Sequence, residues 1–192
     1  MENNLDPRVM VERAGGQFAA LLESVRQDQW DLPTPCARWT VRDLAAHVVG
    51  STHHYAALVD GGESSAPEGT PSPGPEDYQR ARRRLASAYS DDARLSQSVT
   101  LVWGTMPGRA ALGGLTMDAV THSWDLARAL GDGGQLDPEL GEFALGVART
   151  VSAERGEGVP FDEPRPVAED AEVTTRLAAW LGRDPEWTAP AR

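Results

Sequence analysis

The chain has 192 residues, a hydrophobic fraction of 40%, a single cysteine and a formal net charge of -11. A charge of that sign repels phosphate backbones and anionic lipid surfaces, so nucleic-acid and membrane partners are excluded. One cysteine, Cys36, leaves no intramolecular disulfide and no cysteine-cluster metal site, and no run approaches the roughly 20 apolar residues that span a bilayer.

The expected elements run as follows. A helix is predicted over residues 6–29, with Asp6 as cap and Pro7 in its first turn. Val11, Phe18, Leu21, Leu22 and Val25 form its apolar stripe, which Gly15 and Gly16 weaken. Pro33 and Pro35 make the following stretch a connector.

The second helix is predicted to start sharply. Thr40 and Asp43 form a shortened capping box, and Trp39 can pack on Leu44 as a hydrophobic staple. Apolar residues then recur at helical spacing as far as Asp60, before a long Gly/Ser/Pro-rich loop over 61–75. A third helix is expected over 75–89, facing inward through Tyr78, Ala81, Leu85 and Ala88, with Arg82, Arg83 and Arg84 as a solvated face. Residues 99–103 suggest a short extended segment, and 104–114 read as turn-rich.

A helix over 115–130 carries Leu115, Val120, Trp124, Leu126 and Ala127 and stops at Gly131. Asp137 and Pro138 open another helix to about residue 155, and a last one lies near 170–181. With no internal repeat or domain-scale linker, the whole of 1–192 reads as one all-α domain, a four-helix bundle with extra short helices.

Asp118 and His122 lie four residues apart, on one side of that helix and one turn from each other. His47, one of only four histidines, lies on the second helix. Inward faces of a bundle come within ligand reach, and three ligands from two helices leave coordination positions open, as a catalytic metal requires. Taken singly, His47 also reads as a core histidine with one hydrogen bond, and Asp118 with His122 as a surface pair.

Other candidates are less defined. His54, beyond His47 on the same side, is a general-base candidate or a solvated histidine. Asp125 is placed to orient the His122 ring through its second nitrogen, or else to pair with Arg128. Arg109 and Arg42 are candidates for contacting an acidic substrate or a thiol. Cys36 is either a nucleophile near a helix N-terminus or a small buried side chain. Trp39, Trp103 and Trp124 read as core residues, one of which lines a pocket.

Two strings, PTPCARWTVRDLAAHVVG (33–50) and MDAVTHSWDLARALG (117–131), resemble the signatures of DinB-like metal-binding bundles. With the tail RLAAWLGRDPEW (176–187), they look more narrowly like the actinobacterial branch related to the N-terminal domain of mycothiol-dependent maleylpyruvate isomerase. The resemblance implies a DinB-like four-helix bundle with one divalent metal on His47, Asp118 and His122. The founding isomerase has glutamate where this chain has Asp118, whose shorter arm reaches if the helix shifts slightly. Zinc is the first expectation by ligand type, with nickel, manganese or iron as alternatives.

The resemblance further implies that a low-molecular-weight thiol such as mycothiol is activated as the metal-bound thiolate and attacks a small electrophile. The isomerase carries a further C-terminal domain for which the chain to Arg192 has no room. The expectation is therefore a cytoplasmic thiol S-transferase or isomerase working on another electrophile. A non-catalytic ligand- or metal-binding module on the same bundle is the rival, and a homodimer is left open.

Overall fold

The computed structural model describes residues 6–36, 39–60, 73–101, 104–131, 135–151 and 161–189. Helix α1 spans Pro7–Glu23, and the Asp6 side chain accepts the Arg8 amide at 2.9 Å to cap it. It ends six residues short of expectation. At Ser24 the hydroxyl donates to the Leu21 carbonyl at 2.7 Å, and the chain continues into a 3-10 turn over Gln27–Gln29.

Helix α2, Val41–Asp60, starts where the capping box places it. The Asp43 amide donates to Thr40 Oγ1 at 3.2 Å, and the Thr40 amide donates back to Asp43 Oδ2 at 3.0 Å. The expected loop falls mostly outside the described residues. Helix α3, Pro75–Ala88, buries Tyr78, Ala81, Leu85 and Ala88 as its periodicity requires. Its arginine run is not a uniformly solvated face, however. The Arg82 side chain is only 15% exposed, lies against Gly15 of α1 and pairs with Glu12. The missing side chain at Gly15 makes room for that guanidinium.

A short helix α4, Asp92–Ser96, capped by Asp91, has no counterpart among the expected elements. The extended segment is strand β1, Ser98–Leu101, and it pairs antiparallel with β2, Gly104–Pro107. Helix α5 then runs from Gly108 to Leu130, seven residues longer than expected, and replaces most of the turn-rich stretch. Of the glycines that suggest turns, Gly108 serves close packing instead: a Cβ there would collide with the Arg94 carbonyl oxygen, whereas at Gly113 and Gly114 a Cβ would make only ordinary contact. Tertiary contact here overrides weak helix propensity.

Helix α6, Pro138–Val151, is capped by Asp137, whose Oδ1 accepts the Glu139 amide at 3.0 Å. Helix α7 spans Val173–Trp180. Helices α1, α5, α2 and α3 contact one another in a closed ring, which is the four-helix bundle. Helices α6 and α7 cover the remaining side of α5, so 18 of its 23 residues are buried. A helix enclosed on all sides must satisfy its own polar groups. Thr116, Thr121 and Ser123 do so by donating to carbonyls one turn back, each at 2.8 Å. No described helix is long and apolar enough to cross a membrane.

Candidate metal centre

Helices α2 and α5 lie side by side in the ring, and this brings His47 against Asp118, 71 residues further along the chain. His47 Nε2 is 3.1 Å from Asp118 Oδ1, and His122 Nε2 approaches the same oxygen at 3.4 Å. The other oxygen, Asp118 Oδ2, is buried with no hydrogen-bond partner. One ligand atom from each residue lies within 4.8 Å of the others. Two imidazole nitrogens and a carboxylate oxygen are the donor set of an open, three-ligand divalent site. A buried carboxylate oxygen lacking any other partner fits a cation there.

The three residues differ in exposure. His122 is 5% exposed, whereas the Asp118 and His47 side chains are 24% and 35% exposed. The cluster is therefore rooted in the core through His122 and reaches solvent along His47 and Asp118. The ring of Trp39 covers both imidazoles, with centroids 4.7 Å from His47 and 5.6 Å from His122. Trp39 also packs on the cluster containing Leu44, so it serves as staple and as wall of the site. Ser51 Oγ is 3.4 Å from His47 Nε2.

His122 Nδ1 lies 3.0 Å from Asp125 Oδ2. A carboxylate only accepts, so His122 donates from Nδ1 in this bond, and Nε2, turned towards Asp118, is the nitrogen left to face a cation. Asp125 is fully buried and also meets Arg183 Nη2 at 3.3 Å. Arg128, the alternative partner, turns away and lies over the Trp124 ring at 5.0 Å.

Charge and burial oppose each other at this site. Burial pushes the Asp118 carboxyl up, but the His122 and His47 imidazoles outweigh it and the net direction is down. Burial pushes His122 down, yet the Asp118 charge and hydrogen bonds to Asp118 and Asp125 raise it to about 9. Burial pushes Asp125 up, and Arg183 with His122 brings it below the usual carboxylate range.

Cys36 Sγ, His122 and Asp125 form a second group with ligand spacing. Arg183 Nη2 stands 3.9 Å from that sulfur as well as beside Asp125, so a fixed positive charge faces the place where a cation would go. Among the described residues, the first group has no such guanidinium in contact with it. Burial, with the Asp125 charge added, pushes the Cys36 thiol up to about 11, which favours the small packed side chain over a nucleophile.

The remaining candidates are not gathered here. Arg109 is exposed in the first turn of α5, donates to Ser96 Oγ at 3.3 Å, and lies about 13 Å along the helix axis from Asp118. Arg42 pairs with Asp31 at 3.4 Å and lies over Trp30. His54 sits about 10 Å up the α2 axis from His47, edge-on to Tyr55, and its buried Nδ1 has no partner. Trp124 is buried and donates to Thr175 at 3.1 Å, and Trp103 lies outside the described residues. Arg183 lies within the tail string 176–187, but nothing in the sequence pairs it with Asp125. It lies 58 residues beyond Asp125, and no periodicity links the two.

A closed ring of four helices is the DinB-like bundle fold that the sequence leads one to expect. Within that class, the chain belongs to the family described as the mycothiol maleylpyruvate isomerase N-terminal domain, whose profile matches residues 11–127. Two relatives from Mycobacterium tuberculosis strains, the uncharacterized proteins Rv0738 and MT0763, are each 36% identical over 185 residues, covering 93% of this chain and 98% of theirs. Crystal structures of the mycothiol-dependent maleylpyruvate isomerase and of a histidine-to-alanine mutant superpose with TM-scores of 0.57 and 0.61 at 18% identity. The match covers 74% of this chain and 66% of the isomerase, so the chain spans about two thirds of that protein's length, and at this identity the likeness shows the fold.

Proposed function

We propose that this protein is a divalent-metal-dependent enzyme that uses a low-molecular-weight thiol, mycothiol or a close analogue, as S-transferase or isomerase on a small electrophile. The observation that carries the reading is the convergence of His47 Nε2, His122 Nε2 and Asp118 Oδ1 beside a carboxylate oxygen with no other partner. Membership in a family named for a mycothiol-dependent isomerase supports the choice of thiol.

In this reading His47, Asp118 and His122 hold the ion, zinc first and nickel, manganese or iron next. The chemistry such an ion supplies when bound is charge: a thiol of ordinary pKa near ~8.5 is deprotonated outright beside it. Asp125 keeps the His122 ring turned so that Nε2 faces the cluster. Trp39 closes one side against water, and the exposed flank along His47 and Asp118 is where thiol and electrophile enter. The chain acts as one domain in the cytoplasm, where small thiols stay reduced.

The test is an assay of mycothiol, bacillithiol and glutathione against a panel of electrophiles, with and without chelator, beside metal analysis of the purified protein. The reading expects one divalent ion per chain and a thiol-consuming or isomerising activity that chelation removes. A protein that neither carries nor takes up a divalent ion sinks it.

A further inference from the structure

We infer that Arg183, in the turn after α7, is a positioning residue that fixes the His122 ring through Asp125. This rests on the reading of His122 as a ligand, although the geometry behind it involves only groups of the chain. Asp125 Oδ2 takes both contacts, from His122 Nδ1 at 3.0 Å and from Arg183 Nη2 at 3.3 Å, while Oδ1 makes none. A single oxygen therefore joins the imidazole to the guanidinium.

A fully buried carboxylate needs a compensating cation. Helix α5 offers Arg128 one turn on from Asp125, but that side chain is spent on Trp124. The cation comes instead from a distant segment, and its backbone is held firmly. The Arg183 amide donates to the Ala178 carbonyl at 3.0 Å, and Nη1 donates to the Leu181 carbonyl at 3.2 Å. Gly182 takes a φ of +89° to make this turn.

The same guanidinium reaches Cys36 Sγ at 3.9 Å, so it joins the connector before α2, helix α5 and the segment after α7 directly behind His122. Residues 11–127, which the family profile matches, thus hold every proposed ligand but not this support. Outer partners of ligating histidines fix ring orientation, and losing one typically costs 10–100-fold in metal affinity.

The experiment compares the full-length chain with Arg183→Met and Arg183→Lys. Zinc affinity is measured by competition with a chromogenic chelator, and the His122 tautomer by nitrogen-15 NMR on metal-free protein held above the pH at which the ring loses its second proton, with thermal melting as the folding control. The expected result is a folded Arg183→Met variant with zinc binding about 10–100-fold weaker and a His122 signal no longer that of a single Nδ1–H form. Arg183→Lys, which can still donate to Asp125, should recover much of both. Unchanged tautomer and affinity in Arg183→Met overturn the proposal. So does a loss that tracks unfolding and that lysine does not relieve. If the wild type itself binds no zinc, the metal reading fails, and the tautomer measurement still decides the role of Arg183.

Discussion

His47 Nε2 and Asp118 Oδ1 meet at 3.1 Å across the α2–α5 contact, and His122 Nε2 approaches the same oxygen at 3.4 Å. Two imidazoles sharing one carboxylate oxygen predict a sharp dependence of metal binding on Asp118. Asp118→Asn keeps the shape and removes the charge. It should weaken zinc binding by more than the 10–100-fold typical of losing an outer partner, with far-UV circular dichroism unchanged. Equilibrium dialysis with metal analysis measures this, and wild-type affinity in Asp118→Asn would count against the ligand assignment.

Trp39 presses on both histidines, and its ring lies nearly parallel to that of His122, at 29° between planes. Aromatic contacts of this kind contribute about 0.5–1.5 kcal/mol beyond the area they bury. Trp39→Leu retains the apolar staple on Leu44 and loses the ring contacts. Urea denaturation should show a loss of about 1 kcal/mol or more.

The bundle helices, and the faces that carry His47, Asp118 and His122, are legible in local periodicity, whereas the meeting of His47 with Asp118 across 71 residues is legible only through the family resemblance. Asp118 and His122 need only a helix to face one way, and the Thr40–Asp43 cap places His47 in its second turn. Two departures from expectation share a cause: intrinsic preference misreads glycine and arginine where a neighbour supplies the contact. At Gly108 the absent Cβ admits the Arg94 carbonyl, so helix replaces turn, and at Gly15 it admits the Arg82 side chain. Arg183 is invisible for a different reason. Its link to Asp125 spans 58 residues and depends on how the chain returns over α5, which no local pattern encodes.

Asp137 gives a pH prediction. Burial pushes its carboxyl up, but Arg13 and the amides of Leu140 and Glu139 outweigh this and hold it below the usual range. A group whose folded pKa is depressed adds stability above its unfolded value near ~3.9 and loses it as pH falls through the folded value. Asp137→Asn, which can still cap α6 but cannot pair with Arg13, should therefore cost more stability at about pH 7 than at about pH 3. Urea midpoints at the two pH values measure this, and an equal penalty at both would assign the whole effect to packing.

Gly182 and Gly146 should respond oppositely to alanine. At Gly182 φ is +89°, a Cβ would run into that of Asp162, and it would come within 3.0 Å of the Asp162 backbone. Left-handed backbone at a non-glycine residue costs about 1–3 kcal/mol, and the collision adds to it. Gly146 sits in the interior of α6, and nothing lies within 4 Å of the place a Cβ would take. Gly146→Ala should therefore stabilise by about 0.5–1 kcal/mol. Gly182→Ala should lose about 2 kcal/mol or more in chemical denaturation and, by shifting the turn that holds Arg183, weaken zinc binding as well. A Gly182→Ala protein of wild-type stability would mean that the turn after α7 tolerates a different backbone, and the anchoring of Arg183 would have to come from its side chain alone.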